Sequence, residues 1–223
     1  MKFGLSITFL SDWQVGSGLG DGARADAILA RDARGLLYLP GRAIKGALRE
    51  SAHRLALVRP DLAAAETRLF GVDCRPEYEG AAMSFNQPGL MRVSQGRLPE
   101  EIEVILLAAE PATRALWVAD LTLTRSMTAL TPSGVAQAHS LRTLECGLPS
   151  LAFQAELTLP AALPGAESWL LAYLRALCAL TRSLGGHRSR GLGRCRFTLD
   201  QEELPGPVEI PPAFDFPAAA KGR

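Results

Sequence analysis

A glycine-rich turn near the end of the chain strongly limits how this sequence can fold. It reads Leu184-Gly185-Gly186-His187-Arg188-Ser189-Arg190-Gly191-Leu192-Gly193, and we call it the glycine turn. An amphipathic segment, Glu167 to Arg182, precedes it, and an alternating segment, Arg194 to Leu199, follows. Apolar residues at helical spacing predict a helix, and strict alternation predicts a strand. The C-terminal third is therefore predicted to be a helix, a glycine turn and a strand.

The same periodicities predict an α+β protein. Pro40-Gly41 begins a predicted helix from Arg42 to Leu57. Strands are predicted at Phe3 to Leu10, Asp26 to Asp32, Leu36 to Leu39, Gly89 to Val93, Leu116 to Thr124, Leu151 to Leu159 and Arg194 to Leu199. This order is compatible with two split βαβ units, as in ferredoxin-like folds.

Composition favours one folded domain. The chain has 223 residues, of which 48% are apolar and 21% charged, so it can bury a core and is not of the disordered class. We expect one domain over residues 1–203 and an extended or disordered tail, rich in Pro and Ala, over 204–223. No apolar run approaches the roughly 20 residues that cross a bilayer. The N-terminal residues lack the apolar core of a signal peptide, so we expect a cytoplasmic protein without membrane contact.

The net charge of +1 hides an uneven placement of arginine. Between Ser168 and Leu199 there are six arginines and no acidic residue, and four of the six lie in or just after the glycine turn. Backbone N–H groups and guanidinium groups together suit a sugar-phosphate chain. The alternatives are a solvated basic turn and the codon usage of a GC-rich genome, which would explain the preference for Arg over Lys.

Two further segments are candidate binding elements. Arg42, Lys45 and Arg49 share one face of the predicted helix, as solvated charges also do. A second glycine-rich stretch, residues 16–22, lacks the Gly-Lys-Ser/Thr of a phosphate-binding loop and no helix is predicted after it. It is either a flexible loop or a groove lined by main chain.

Acidic residues offer one candidate catalytic pair. Asp26 and Asp32 are six residues apart on a predicted strand, so they share a face and could hold a divalent ion, or they are turn and edge residues. The cysteines and histidines have no zinc-site spacing, and the thiols are expected to be buried or partly buried. No nucleophile–base arrangement follows from the spacing.

Several motifs, taken in order, resemble the repeat-associated (RAMP) superfamily. They are Gly16-Ser17-Gly18, Leu39-Pro40-Gly41-Arg42-Ala43-Ile44-Lys45-Gly46-Ala47-Leu48-Arg49, Arg68-Leu69-Phe70-Gly71 and the glycine turn. The resemblance runs from about Phe3 to Leu199 and is to the repeated backbone subunit of type III CRISPR effector complexes. It implies a ferredoxin-like, RNA-recognition-motif-like palm with a thumb hairpin inserted at about residues 121–149.

The resemblance also implies partners and site residues. The partners would be a guide RNA, a target RNA, copies of the same chain in a filament and other effector subunits. Asp26 would cut the target with a divalent ion, with magnesium the expected one, and Met127 and Leu130 of the thumb would wedge against a base pair. The implied RNA-binding residues are Arg42, Lys45, Arg49, Gly185, Gly186, Arg188, Arg190, Gly191 and Gly193.

Three alternatives remain open on the sequence. Several superfamily subunits keep the fold and cleave nothing, so the chain could be an RNA-binding scaffold. A precursor-processing ribonuclease of related fold would use His rather than Asp, although His187 matches no residue that the resemblance assigns. A small-molecule enzyme using residues 16–22 is the remaining class.

Overall fold

The computed structural model of the chain describes residues 1–22, 25–72, 88–160 and 167–200. In these ranges the strands are β1 (Lys2–Phe9), β2 (Tyr38–Leu39), β3 (Arg92–Val93), β4 (Gly96–Arg97), β5 (Thr122–Met127), β6 (Arg142–Gly147), β7 (Ala152–Thr158) and β8 (Cys195–Asp200). The α-helices are α1 (Gly41–Val58), α2 (Ala63–Phe70), α3 (Glu100–Ala108), α4 (Pro111–Ala119) and α5 (Glu167–Leu180). The predicted tail, residues 204–223, lies outside the described residues.

An antiparallel sheet forms the centre of the fold. Its strand order is β2-β4-β7-β1-β8, and β3 also pairs with β7. The helix α1 lies in the chain between β1 and the β3–β4 strands, and α5 lies between β7 and β8. This is the strand arrangement of two interlocked βαβ units. The predicted α+β class and ferredoxin-like architecture are confirmed.

One face of the sheet packs against α1 and α5. Alternate residues of β1, from Phe3 to Phe9, are buried, because successive side chains of a strand point to opposite faces. The helix α1 buries Ile44 and Leu48 in the same core. The hydroxyl groups of Ser51 and Thr181 hydrogen-bond at 2.8 Å and join α1 to the end of α5. The two helices are thus fixed to one another by a buried polar contact as well as by apolar packing.

A helical pair and a hairpin are inserted between β4 and β7. The helices α3 and α4 lead into the hairpin β5–β6, which forms a sheet separate from the central one. Most of the connecting segment, residues 128–141, is exposed. The region predicted to be a thumb, 121–149, therefore contains this hairpin, and its action on a duplex stays a prediction.

The predicted strand Leu116 to Thr124 is wrong in its first half. Pro111 stands at the first position of α4, where its fixed φ and missing N–H favour a helix start. The helix continues to Ala119, and β5 begins only at Thr122. The alternation of Leu116 and Val118 resembles a strand, but in the helix Val118 is buried while Leu116 is 67% exposed.

The predicted strand Asp26 to Asp32 is not a regular strand either. This extended segment changes partner along its length, because Ala27 bridges Leu144, Leu29 bridges Gly16 and Arg31 bridges Leu37. No single neighbour continues a ladder with it. A strand follows only at β2.

Trp13 joins the central sheet to the hairpin. Its ring is fully buried, stacks on Phe9 with centroids 4.5 Å apart and meets Phe153 edge-on at 5.4 Å. Its backbone exchanges two hydrogen bonds with Gly147 of β6, and its indole Nε1 donates to the carbonyl of Leu148 at 3.1 Å. A Cβ on residue 147 would collide with the indole, so glycine is required there.

The cysteines that the structure describes are buried, as predicted. Burial raises the pKa of Cys146 to about 11 and the pKa values of Cys178 and Cys195 to about 12, so these thiols stay protonated. Cys74 lies outside the described residues. Among the helices described, none has the length and apolar character needed to span a membrane.

Trp13 and Trp117, which differ in burial, provide a stability test. Trp13→Ala is expected to lower the free energy of unfolding by about 3–5 kcal/mol, because it empties a buried site and removes an indole hydrogen bond. Trp117→Ala on α4, where the ring is 42% exposed, is expected to cost much less. Urea unfolding of both variants measures the difference, and equal losses would contradict a structural role specific to Trp13.

Candidate nucleic-acid interface

The glycine turn is a closed loop fixed to the segment that follows β1. Its ends meet, since the N–H of Leu184 donates to the carbonyl of Gly193 at 2.9 Å. The N–H of Gly186 donates to Gln14 at 2.8 Å, and that of Gly193 to Asp12 at 2.7 Å. The loop therefore has a defined position relative to the sheet.

The glycines of the turn allow this close approach. Gly185 and Gly193 have φ values of +102° and +75°, and a Cβ would collide with the carbonyls of Gln14 and Leu184 respectively. Gly191 has a φ of +82° and ends the short 3-10 turn Arg188–Arg190. The structure thus gives Gly185 and Gly193 a packing reason and Gly191 a conformational one, and the RNA contacts expected of Gly185, Gly186, Gly191 and Gly193 stay predictions.

The two arginines of the turn are exposed and point to different neighbours. Arg188 pairs with Glu50 of α1 at 2.6 Å, and both side chains are more than 40% exposed. Arg190 lies against the sulfur of Met127 at 3.7 Å, so it reaches the hairpin. An exposed ion pair contributes at most about 1 kcal/mol, so a phosphate group can replace Glu50 on Arg188 at little cost.

Of the three cationic residues on one face of α1, one is exposed and two donate hydrogen bonds to main-chain carbonyl groups. Lys45 Nζ donates to the carbonyl of Met91 at 2.8 Å, and Arg49 donates to that of Gly71 at 3.2 Å. Burial, together with the charge of Arg49, lowers the pKa of Lys45. Arg42 is exposed near the start of α1. Binding of RNA by these three residues stays a prediction, and Lys45 and Arg49 also have a structural role.

Asp26 lies beside the hairpin. Its backbone N–H donates to the carbonyl of Thr143 at 2.8 Å, and its Oδ2 accepts the Thr143 N–H at 2.6 Å. The next residue, Ala27, forms a parallel bridge to Leu144. Asp26 and Ala27 therefore lie alongside β6, joined to it by one isolated parallel bridge. Asp26 remains exposed, and its second oxygen has no partner among the described residues.

A small apolar cluster brings the separate motifs together. Leu144 and Cys146 of the hairpin and Leu192 of the glycine turn are buried against one another, and Ala27 and Met127 pack at the edge. In the sequence, Asp26 is more than a hundred residues away from strand β6 of the hairpin and from the glycine turn. All three elements nevertheless surround this cluster. The fold thus assembles three of the predicted functional elements.

Asp32 does not join Asp26. Its carboxylate accepts N–H groups of Arg34 and Leu36 and pairs with the Arg34 guanidinium, so it stabilises the turn between 32 and 36. The described residues contain no group of three or more His, Cys, Asp or Glu side chains that could hold a metal ion. The donors present fit an ion shared between Asp26 and RNA phosphate, because Mg²⁺ is commonly held by one or two carboxylates plus substrate phosphates.

The predicted wedge residues lie at different heights of the hairpin. Met127 ends β5 opposite Arg142 and is half-buried against the cluster. Leu130, which is 64% exposed, lies in the tip and bridges Ala136. Leu130 is therefore accessible, Met127 is partly covered, and the wedge role of both residues stays a prediction.

Sequence reasoning missed the ion pair between Arg31 and Glu145. Glu145 is an acidic residue between the apolar residues Leu144 and Cys146, a signal that predicts a buried, paired carboxylate. Both members line a cleft of about 380 Å³, together with Arg34, Arg114 and other residues. The hydrogen bonds of Glu145 raise the pKa of Arg31, while burial opposes them.

Two solved structures with similar folds are of type III-B complexes. A chain of the type III-B Cmr-beta complex in its apo state superimposes with a TM-score of 0.62 at 11% identity, covering 91% of this chain and 98% of that one. A chain of the Cmr-beta complex bound to cognate target RNA gives 0.64 at 13% identity, covering 89% and 97%. These likenesses show the fold.

Sequence comparison gives the family. No curated protein matches the chain. The model of the RAMP superfamily matches residues 6–196, which include the second half of β1, both glycine-rich segments, the hairpin and the first two residues of β8. Since this match covers most of the sequence and the elements that surround the cluster, the chain belongs to the RAMP superfamily.

Proposed function

We propose that this chain is a guide-RNA-binding backbone subunit of a type III CRISPR ribonucleoprotein and that it uses Asp26 to cleave target RNA. The observation that carries the proposal is the assembly of Asp26, the glycine turn and the hairpin around one cluster. Family membership and the similar folds in two type III-B structures, one of them bound to cognate target RNA, support it.

Guide binding would use the glycine turn. Arg188 and Arg190 are exposed on a loop whose main chain is fixed, so little entropy is lost when phosphates replace their present neighbours. Arg42 adds a further exposed cation on α1. We also propose that several copies of the chain bind along one guide and that other effector subunits join them. The proposed location of the complex is the cytoplasm.

Cleavage would use the nucleophile that RNA carries. The 2′-oxygen attacks the adjacent phosphorus, the bond to the 5′-oxygen breaks, Asp26 takes the 2′-hydroxyl proton, and water protonates the leaving oxygen. A divalent ion bound by Asp26 and the phosphate would supply stabilisation of the charge that develops on the phosphate oxygens. The chain itself holds the carboxylate through Thr143 and, in this proposal, holds the nucleotide in line.

A non-cleaving scaffold is the second candidate. The Thr143 N–H that Asp26 accepts is the kind of contact that a purely structural aspartate makes. In that case Asp26 would fix the segment to the hairpin and the chain would bind RNA alone.

Substitution of Asp26 separates the two candidates. Asp26→Asn keeps an oxygen that can accept the Thr143 N–H but removes the base, so the assembled complex should bind target normally and lose cleavage by at least a hundredfold. Asp26→Ala should do the same. Gel assays of cleavage and binding measure both, with Asp120→Ala, an exposed aspartate at the end of α4, as the control. Normal cleavage by Asp26→Asn would favour the scaffold.

The ends of the RNA products test the nucleophile. A 2′-deoxy nucleotide on the 5′ side of the cut should block cleavage at that position only, because the attacking oxygen is missing. Unmodified target should give 2′,3′-cyclic phosphate and 5′-hydroxyl ends, which mass spectrometry identifies. Products with 3′-hydroxyl and 5′-phosphate ends would show attack by water and contradict the proposed chemistry.

Salt dependence tests the glycine turn as a phosphate site. Arg188→Ala with Arg190→Ala should weaken guide binding and reduce the magnitude of the slope of log affinity against log salt by about 1–2. Fewer phosphates would be neutralised, so fewer counterions would be released on binding. Lys2→Ala with Arg59→Ala removes two cations from ion pairs elsewhere and is the matched control. Filter binding at several salt concentrations gives both slopes. An unchanged slope in the first variant would exclude the turn from the guide site.

A further inference from the structure

The segment that carries Asp26 pairs with β6 at Asp26 and Ala27. Besides the two hydrogen bonds between Asp26 and Thr143, the N–H of Glu145 donates to the carbonyl of Ala27 at 2.9 Å. Beyond Ala27 the main-chain pairing to β6 stops, because Leu29 turns to bridge Gly16. Residues 28–30 instead make main-chain hydrogen bonds with residues 15, 17, 19 and 38, so among the described residues it is side-chain contacts that join this part of the segment to the hairpin.

Glu145 provides those contacts. Its Oε2 accepts the N–H of Leu29 at 2.9 Å and Nη1 of Arg31 at 2.8 Å, and its Oε1 accepts Nη2 of Arg31 at 2.5 Å. The glutamate side chain is 6% exposed and the arginine side chain 29%. One buried carboxylate therefore binds both the main chain and a side chain of the Asp26 segment.

Burial makes this pair different from a surface ion pair. When one partner of a buried pair is removed, the other charge is left without compensation, and the surrounding structure shifts to solvate it. In Glu145→Gln a single oxygen would remain for both the Leu29 N–H and the Arg31 guanidinium, where the carboxylate now provides two. The displacement would fall on the segment from Ala27 to Arg31. Asp26 directly precedes this segment in the sequence.

We propose that Glu145 and Arg31 are positioning residues that hold Asp26 in line for cleavage of target RNA. The inference rests on the proposed function, because it concerns the same reaction. Neither side chain is required to touch the scissile phosphate; both act through the backbone of residues 26–31. A misplacement of about 1 Å in a catalytic group can cost on the order of 100-fold in rate.

A second ion-pair centre provides a matched control. Glu103 of α3 accepts both Arg34 and Arg97, and its side chain is 14% exposed. It makes no contact with the backbone of residues 26–31 that the structure describes. Glu103→Gln therefore has a similar electrostatic cost without the link to Asp26.

The experiment compares Glu145→Gln, Arg31→Lys, Glu103→Gln and Asp26→Ala in the assembled complex with guide RNA. Cleavage is measured in single turnover at saturating target, target affinity is measured separately, and hydrogen exchange follows the peptide that contains residues 25–31. We expect Glu145→Gln to cut at least tenfold more slowly with target affinity within twofold of the wild type. Exchange in the 25–31 peptide should rise. Arg31→Lys, which keeps the charge, should slow cleavage by about threefold, and Glu103→Gln should cut at the normal rate.

The outcomes separate the two proposals. If Asp26→Ala cuts normally, the proposed function is overturned and the positioning role with it. If Asp26→Ala is inactive while Glu145→Gln cuts at the normal rate, only the positioning role is overturned. Equal slowing by Glu145→Gln and Glu103→Gln, or a parallel loss of target affinity, also overturns it. Should Glu145→Gln fail to assemble, Arg31→Lys decides: a normal rate overturns the inference, and a slower rate at unchanged affinity supports it.

Discussion

Three consecutive carbonyl groups after β1 hold the functional elements in place. The carbonyls of Asp12, Trp13 and Gln14 accept the N–H groups of Gly193, Gly147 and Gly186 respectively. The hairpin and both ends of the glycine turn are therefore fixed to one short segment. Because that segment continues β1, an interior strand of the sheet, its position follows from the packing of the core. The candidate site depends on this strip of main chain.

Glycine donors explain how so many elements can meet there. A Cβ at residue 147 would collide with the Trp13 ring, and one at 185 or 193 would collide with carbonyl oxygens. Backbone can approach backbone because those side chains are absent. The main chain where these elements meet thus offers few side chains. The exposed arginines of the glycine turn, Arg188 and Arg190, carry the charge available for a ligand. A net charge of +1 is compatible with this placement, since the glycine turn contains two arginines and no acidic residue.

The sequence was a good guide where one periodicity governed a whole element and a poor one where partners changed. The helices α1 and α5 and the strands β1, β7 and β8 follow from apolar spacing, because each packs a single face on the core. The extended segment around Asp26 could not be predicted to lie on β6, since its bridges go to three different neighbours. Lys45 was predicted as a ligand-binding cation, and nothing local reveals that its ammonium group donates to the carbonyl of Met91. Tertiary contacts between distant residues carry that information.

The pairing of the Asp26 segment with β6 has a consequence for how a cut could be spaced. Asp26 is paired with Thr143, and Met127 is paired with Arg142, so the carboxylate and the base of the exposed tip lie at adjacent levels of one ribbon. Hydrogen bonds join the Asp26 segment to β6, and β6 to β5, at these levels. In the proposed function, the element that displaces a nucleotide and the group that cleaves beside it would thus move as one body. The distance between displacement and cut would then be set by strand register and would not depend on the RNA sequence, which matches recognition of a guide–target duplex by shape and backbone.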